Sequence, residues 1–133
     1  MIDRDRLKTK LGQGSYREVW AHPDDDSLVV KIALFKKPNG LNQNVYEWWL
    51  WNRLQELEHE DAQWLVPCVA ISDDEKVLVQ RRAQPMSNNA PVPKGIPSWV
   101  QDGTAKNFGW YDGKLRLFDY GVMAMSQHFG WKP

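Results

Sequence analysis

Only one stretch of the sequence has the spacing of a long helix, and short β-rich runs lie on both sides of it. Residues 45–59 bring Glu47, Leu50 and Leu54 to one face, because residues three and four apart are neighbours on a helix. The β-rich runs are bounded by turn residues and span 7–11, 19–21, 28–34, 65–71 and 76–80. The order β-β-β-α-β-β predicts an α+β fold in which a β-meander precedes the helix.

The remaining segments predict connections and a small hairpin. Residues 36–44 are polar and are expected to form a loop, with Asn44 as the N-cap of the helix. Residues 83–97 contain four prolines and predict an irregular connector. The final third is expected to hold a loop, a hairpin and a short tail, with hairpin strands at 108–111 and 115–118.

Length and composition limit the class of protein. The 133 residues have the length of one domain, with the sheet and helix in 1–82, the connector in 83–97, and loops and tail in 98–133. Equal numbers of basic and acidic side chains, 17 of each, predict no nucleic-acid partner. No segment resembles a membrane span or a signal peptide, which predicts a cytoplasmic protein without membrane contact. The single cysteine, Cys68, is expected to be buried and inert.

Aromatic residues are abundant for a chain of this length. Eight tryptophans predict a compact aromatic core, an apolar contact surface, or both. Trp99, Trp110, Phe129 and Trp131 are expected either to cover the base of the small sheet or to form a face that binds a partner protein or a second copy.

The hairpin between the first two strands is rich in glycine. Residues 12–19 have the form G-x-G-x-x-x-x-V, with Gly12 and Gly14 at its start. Glycine lets the backbone approach a phosphate closely and present N–H donors to it. A hairpin turn that needs positive φ explains the same glycines, so this motif alone leaves both interpretations open.

Two oppositely charged residues lie on apolar faces of the predicted elements. Strand alternation places Lys31 on the same face as Val29 and Ala33, and Glu47 lies on the apolar face of the helix. A buried charge is costly unless it is paired, so a Lys31–Glu47 ion pair would satisfy both residues. The alternatives are an edge-strand lysine that extends to water and a glutamate that caps the helix.

Oxygen-bearing side chains cluster in two loops of the final third. Asp102 and Asn107 form the pattern D-x-x-x-x-N, and Asp119 begins the sequence Asp-Tyr-Gly. Two carboxylates and an amide that flank a short hairpin are suited to bind a hard cation. Asp, Asn and Gly also favour turns, so each half of this pattern has a second explanation.

All these motifs occur in the order of the protein-kinase signature: a glycine-rich loop, a strand lysine, a helix glutamate, D-x-x-x-x-N and D-Y-G. The chain therefore resembles the protein-kinase-like superfamily over residues 7–121, nearer its atypical bacterial and phage members. The resemblance implies an N-lobe with a five-stranded antiparallel sheet and one long helix, followed by a truncated remnant of the C-lobe. It also implies that the ligands are ATP and Mg²⁺.

The resemblance implies a role for each motif residue. Lys31, paired with Glu47, would hold the α- and β-phosphates, and Asp102 would accept the proton of the substrate hydroxyl. Lys106 would neutralise the transferred phosphoryl group. The positions implied for nucleotide contacts, the last two in the hinge that binds adenine, are Gly12, Gly14, Ser15, Arg17, Val19, Val29, Lys31, Gln80 and Arg82. The positions implied for Mg²⁺ are Asn107 and Asp119.

Several positions depart from the family's pattern. Arg17 replaces the third glycine of the loop, which implies either a stiffer loop or an added phosphate contact. Val100 and Gln101 precede Asp102 where the family has His-Arg or His-Gly. Only twelve residues follow Gly121, too few for the activation segment and helical lobe that hold a peptide substrate.

Three functions are compatible with this sequence. The first is a minimal phosphotransferase that uses ATP and magnesium and phosphorylates itself or a protein partner. The second is a kinase-like module with little or no catalysis, which binds and modulates another protein. The third is a small α+β domain with no nucleotide role. The sequence favours the first, because all five polar motif residues are present: Lys31, Glu47, Asp102, Asn107 and Asp119.

Overall fold

Five antiparallel strands form the main sheet of the computed structural model. The structure describes residues 2–34, 39–87, 89–91, 93–100 and 105–132, with only the backbone described for 39–41 and 105. The strands, β1 to β5 in chain order, are Lys10–Gln13, Arg17–Ala21, Leu28–Ala33, Cys68–Ile71 and Val77–Arg81. Their order in the sheet is β1-β2-β3-β5-β4, so β3 is the central strand. All five predicted β-runs are confirmed as strands of one α+β fold.

The strand boundaries differ from the predicted ones for local reasons. β1 begins at Lys10, because a 3₁₀ turn at Arg4–Arg6 precedes it and Leu7 packs into a cluster on the sheet. β4 begins at Cys68, because the preceding residues pair elsewhere: the backbone N–H of Val66 donates to the carbonyl of Leu117 at 2.8 Å.

Helix α1 spans Asn39–Glu56 and contacts β3, β4 and β5. It begins six residues before the predicted start, so the predictions of a loop up to residue 44 and of an N-cap at Asn44 were wrong. Asn44 is fully buried within the helix, and its side chain bonds to other elements instead of capping. The helix ends at Glu56 because Glu58, with φ 48°, leaves the helical conformation.

A second sheet forms beside the first. It contains β6 (Gln84–Pro85), β7 (Phe108–Tyr111) and β8 (Lys114–Leu117), in that order. The predicted hairpin is confirmed, and positive φ values of 51° at Asp112 and 74° at Gly113 match a two-residue primed turn. The prediction of a wholly irregular connector was wrong at residues 84–85, because a two-residue strand is too short to leave a sequence signal.

The C-terminal segment is partly helical. α2 spans Met123–His128 and packs on α1, where the Ser126 hydroxyl donates to the Tyr46 carbonyl at 3.3 Å. This helix lies where only a tail was predicted, because six residues with no side-chain cap carry little periodic signal. Trp131 packs edge-on against Tyr46 and Trp49.

Two apolar clusters lie on opposite faces of the main sheet. One contains Leu7, Val30 and Ile32, and we call this side the apolar face. The other lies between α1, the second sheet and the Asp-Tyr-Gly segment, and its largest fully buried members are Tyr120, Phe108, Leu50, Leu54, Leu65, Leu78, Leu117 and Met125. Of the four C-terminal aromatics, Trp99 is buried, Phe129 is partly buried against this core, and Trp110 is half exposed.

In the described part of the chain, no helix has the combination of length and apolarity needed to cross a membrane.

Candidate functional site

The expected ion pair between Lys31 and Glu47 is present. Both side chains are buried, and Lys31 Nζ lies 2.7 Å from Glu47 Oε1. β3 supplies the lysine on the face that packs on α1, and the third turn of α1 supplies the glutamate. Lys31 Nζ also donates to the backbone carbonyl of Phe118, which joins the central strand to the Asp-Tyr-Gly segment.

The Asp-Tyr-Gly segment is fixed to the same glutamate. The backbone N–H of Tyr120 donates to Glu47 Oε2 at 2.9 Å, and the Tyr120 hydroxyl donates to the Val66 carbonyl at 2.7 Å. At Gly121 an added Cβ would lie 2.7 Å from the Gln43 carbonyl of α1, so only glycine permits this close approach. Residues more than seventy positions apart in the chain therefore meet at one carboxylate.

Arg17 completes what we call the ionic cluster: Arg17, Lys31, Glu47 and Asp119. Its guanidinium binds Glu47 with two hydrogen bonds, Nη1 to Oε1 at 3.0 Å and Nη2 to Oε2 at 2.7 Å. Nη2 also donates to Asp119 Oδ1 at 3.0 Å, and Nη1 donates to the Asn44 side-chain oxygen at 3.1 Å. Each η nitrogen carries two N–H groups, so all four terminal donors are already used. The η nitrogens of Arg17 therefore have no N–H group left for the phosphate contact that the sequence suggests.

The neighbouring charges shift the pKa values of Glu47 and Arg17. Burial raises the pKa of Glu47, but the neighbouring charges of Arg17 and Lys31 outweigh it and lower the pKa to about 2. Burial alone would lower the pKa of Arg17, whereas Glu47 and Asp119 raise it above its ordinary value. Two cationic and two acidic side chains thus meet at the junction of sheet, helix and loop.

The glycine-rich hairpin leaves open space above its backbone. A Cβ built at Gly12 or Gly14 would meet no atom within 4 Å, and neither glycine has positive φ. The interpretation that these glycines serve a turn with positive φ was wrong. Ser15 is exposed at the tip of the hairpin. Open backbone at this position is compatible with the close approach of a ligand.

The positions expected to surround adenine lie side by side on the sheet. Val29 pairs with Gln80 across β3 and β5, and Val19 pairs with Lys31 across β2 and β3. Gln80 is fully buried, and its Oε1 has no hydrogen-bond partner among the described residues. The backbone N–H of Arg82 in the expected hinge already donates to the Ser27 carbonyl at 2.8 Å.

The expected catalytic loop is described only in part. Asp102 lies outside the described residues. Lys106 is exposed, whereas Asn107 is buried and its carbonyl accepts the N–H of Phe118 at 2.9 Å. This bond places the loop directly beside the segment that carries Asp119.

Cys68 behaves as predicted. The thiol is buried, lies 3.2 Å from the Tyr120 hydroxyl, and has a pKa that burial and the charge of Glu47 raise to about 12. A thiol with such a pKa is not a nucleophile at neutral pH.

A separate groove lies between the connector and the second sheet. Two adjoining clefts of about 520 and 420 Å³ share Pro93, Lys94, Trp110 and Leu115. Trp110 is 50% exposed there, and the charged residues in the lining are Lys94 and Lys114. The groove is apolar with a basic rim.

Sequence reasoning missed Asn44 and the inward direction of Arg17. The signal for Arg17 was present, because alternation in β2 puts it on the same face as Val19, which pairs with Lys31. Asn44 gave no such signal while the helix was expected to begin after it.

No protein-family model, curated protein or solved structure matches this chain.

Proposed function

We propose that this chain is a minimal protein-kinase-like protein that binds ATP and transfers its phosphoryl group to itself or to a protein partner. The observation that carries the proposal is the meeting of Lys31, Glu47 and the Asp-Tyr-Gly segment at one buried carboxylate. Three motifs that the kinase signature relates to one another are far apart in the chain and adjacent in space.

The surroundings of the cluster support a nucleotide ligand. An ammonium group has three donors, and Lys31 uses two of them on Glu47 and the Phe118 carbonyl, which leaves one for a phosphate oxygen. The open backbone lies at Gly12 in β1 and at Gly14 in the turn between β1 and β2, the two strands that precede β3. Val29 and Val19 provide apolar contacts for a base beside the lysine.

Phosphoryl transfer requires a further group that accepts the proton of the acceptor hydroxyl. Asp102 is the candidate by its place in the signature, and Asn107, five residues later, lies against the Asp-Tyr-Gly segment. In this proposal the acceptor hydroxyl belongs either to this chain or to a bound protein partner.

Thermal unfolding with added ATP tests the binding step. A ligand at a hundred times its dissociation constant stabilises the folded state by about 2.7 kcal/mol, so we expect a clear rise in the unfolding temperature. Lys31→Met should lose the ATP-dependent shift, whereas Lys8→Met, at an exposed lysine, should keep it. No shift for the wild type at millimolar ATP would contradict nucleotide binding.

Labelled ATP tests the transfer step. Wild type incubated with γ-labelled ATP, alone and with a cell lysate, should transfer label to itself or to a second protein, and Asp102→Asn should abolish the transfer. Undiminished transfer by Asp102→Asn would contradict the assigned role.

The second candidate is a kinase-like module without catalysis, which binds and modulates another protein. Arg17 favours it, because the guanidinium already binds the carboxylate of Asp119 that the signature reserves for a metal ion. The groove around Trp110 offers a binding surface, and its two lysines suit an acidic, apolar segment of the partner. A protein that binds ATP in the thermal experiment but transfers no label would favour this function over the first.

A further inference from the structure

Asp119 shares one of its two carboxylate oxygens with Arg17. Magnesium requires oxygen ligands at about 2.0–2.1 Å in near-octahedral geometry. Asp119 Oδ1 instead accepts a hydrogen bond from Arg17 Nη2 at 3.0 Å. A cation of the protein itself is therefore already paired with the carboxylate at which the kinase-like signature implies magnesium.

We propose that Arg17 takes the place of the divalent cation at Asp119, so that this site binds a nucleotide phosphate without a metal ion. The charges of the ionic cluster already sum to zero, and a divalent ion at Asp119 would lie beside a fixed guanidinium. The nucleotide half of this inference rests on the proposed function. The metal half, that Arg17 and not a divalent ion neutralises Asp119, does not depend on nucleotide binding.

Arg17 is held too firmly to leave this position at little cost. Its guanidinium binds both oxygens of Glu47, and the Asn44 side chain holds it from a third direction while donating to the Glu75 carbonyl at 2.9 Å. Withdrawal of Arg17 would break four hydrogen bonds, three of them to carboxylates, and leave buried groups unpaired. A metal ion that competes for Asp119 would have to overcome this loss.

The position of Arg17 in the sequence explains the replacement. The glycine-rich pattern has its third glycine there, and a glycine would leave Asp119 Oδ1 without the guanidinium that now binds it. With arginine, the chain itself supplies the positive charge. Arg17 is in this account a positioning and specificity-determining residue, because it sets which cation neutralises Asp119.

Manganese alone, followed by NMR, tests the metal half at the site. Paramagnetic Mn²⁺ bound at Asp119 would broaden the amide signals of Tyr120 and Gly121. We expect no selective broadening in the wild type. Arg17→Gln should show selective broadening of both amides, with an affinity for Mn²⁺ roughly tenfold or more above that of the wild type. The reason is that the charge-assisted hydrogen bonds of Arg17 no longer compete with the metal ion for Asp119. The double variant Arg17→Gln with Asp119→Asn should lose this broadening again. Arg6→Gln, the control at an exposed arginine, should behave like the wild type.

Selective broadening of these two amides in the wild type, lost in Asp119→Asn, would overturn the inference. A folded Arg17→Gln protein that gains no Mn²⁺ binding would also overturn it. Arg17→Gly, which restores the glycine of the pattern, provides a second variant if Arg17→Gln does not unfold cooperatively. The comparison of wild type with Asp119→Asn does not depend on either Arg17 variant. The Asp119 side chain is half exposed, so we expect this substitution to leave the protein folded.

ATP titrations with magnesium and with EDTA test the nucleotide half. If the wild-type dissociation constants for ATP in magnesium and in EDTA agree within about twofold, metal-independent binding is supported. A loss of affinity of about tenfold or more in EDTA would overturn it. If no variant binds ATP under either condition, the proposed function fails, and the manganese experiment still decides whether Arg17 replaces the metal at Asp119.

Discussion

The two faces of strand β3 differ sharply in what they bury. On the apolar face, Val30 and Ile32 pack with Leu7, and folding alone explains this arrangement. On the opposite face, Lys31 is buried and pairs with Glu47, which also binds Arg17. Buried ion pairs often stabilise no better than apolar residues of similar volume, because desolvation offsets their attraction. Folding alone explains the apolar face, whereas the ionic face needs a further reason, and the proposed nucleotide site supplies one.

Removal of the central carboxylate should produce the largest effect. Glu47→Gln leaves Arg17 and Lys31 buried without their shared counter-charge, so we expect a loss of about 3–5 kcal/mol in the free energy of unfolding. Urea unfolding at pH 7 measures this loss. A loss below about 1 kcal/mol would mean that water or another group neutralises the two cations, and would remove the contrast between the faces.

Acid should weaken the ionic face selectively. The pKa of Glu47 is about 2 in the folded protein, below its ordinary value of 4.5. The stabilisation from this carboxylate is therefore complete above pH 4.5 and is lost as the pH falls towards 2, a loss of about 3 kcal/mol. Urea unfolding of wild type and Glu47→Gln between pH 7 and pH 2 should show that the variant lacks this part of the pH dependence. Parallel curves for the two proteins would contradict the assignment to Glu47.

Displacement of the Asp-Tyr-Gly segment should have a smaller effect. In Gly121→Ala the new Cβ would lie 2.7 Å from the Gln43 carbonyl, so helix and segment must separate at a cost of about 1–3 kcal/mol. Gly12→Ala is the matched control, because its Cβ meets no atom within 4 Å, and a change within about 0.5 kcal/mol is expected. Equal losses in the two variants would show that the segment is not tightly packed on α1.

A small deletion on the apolar face should have the smallest effect. Ile32→Val removes one methylene from the cluster with Leu7 and should cost about 1 kcal/mol at every pH, because no charge is involved. Urea unfolding at pH 7 and pH 3 measures both properties. A pH-dependent loss would show that the two faces are coupled through the strand.

Much of the fold and the ion pair could be predicted from the sequence. Strand alternation placed Lys31 inward, and helical spacing placed Glu47 on the apolar face, so the pair followed from the cost of burying either charge alone. Alternation in β2 could also have placed Arg17 inward, but neither its partners nor Asn44 could be predicted in this way. The helix begins earlier than its apolar spacing suggests, and the four bonds of Arg17 depend on side chains from α1 and from residue 119.

Short elements also escaped prediction for a physical reason. β6 has two residues and α2 has six, so tertiary contacts with β7 and α1 stabilise them more than local propensity does. The role of Asp102 stays a prediction from the signature, because its position is outside the described residues.

An NMR titration of the wild-type protein with ATP tests the central claim most directly. If the nucleotide binds at the ionic cluster, we expect chemical-shift changes at the amides of Gly12, Gly14, Lys31 and Tyr120, with little change at Leu7 on the apolar face. Saturable shifts confined to the ionic side of β3 would place the nucleotide there. Shifts absent at millimolar ATP, or distributed equally over both faces, would contradict the claim that the ionic cluster is a nucleotide site.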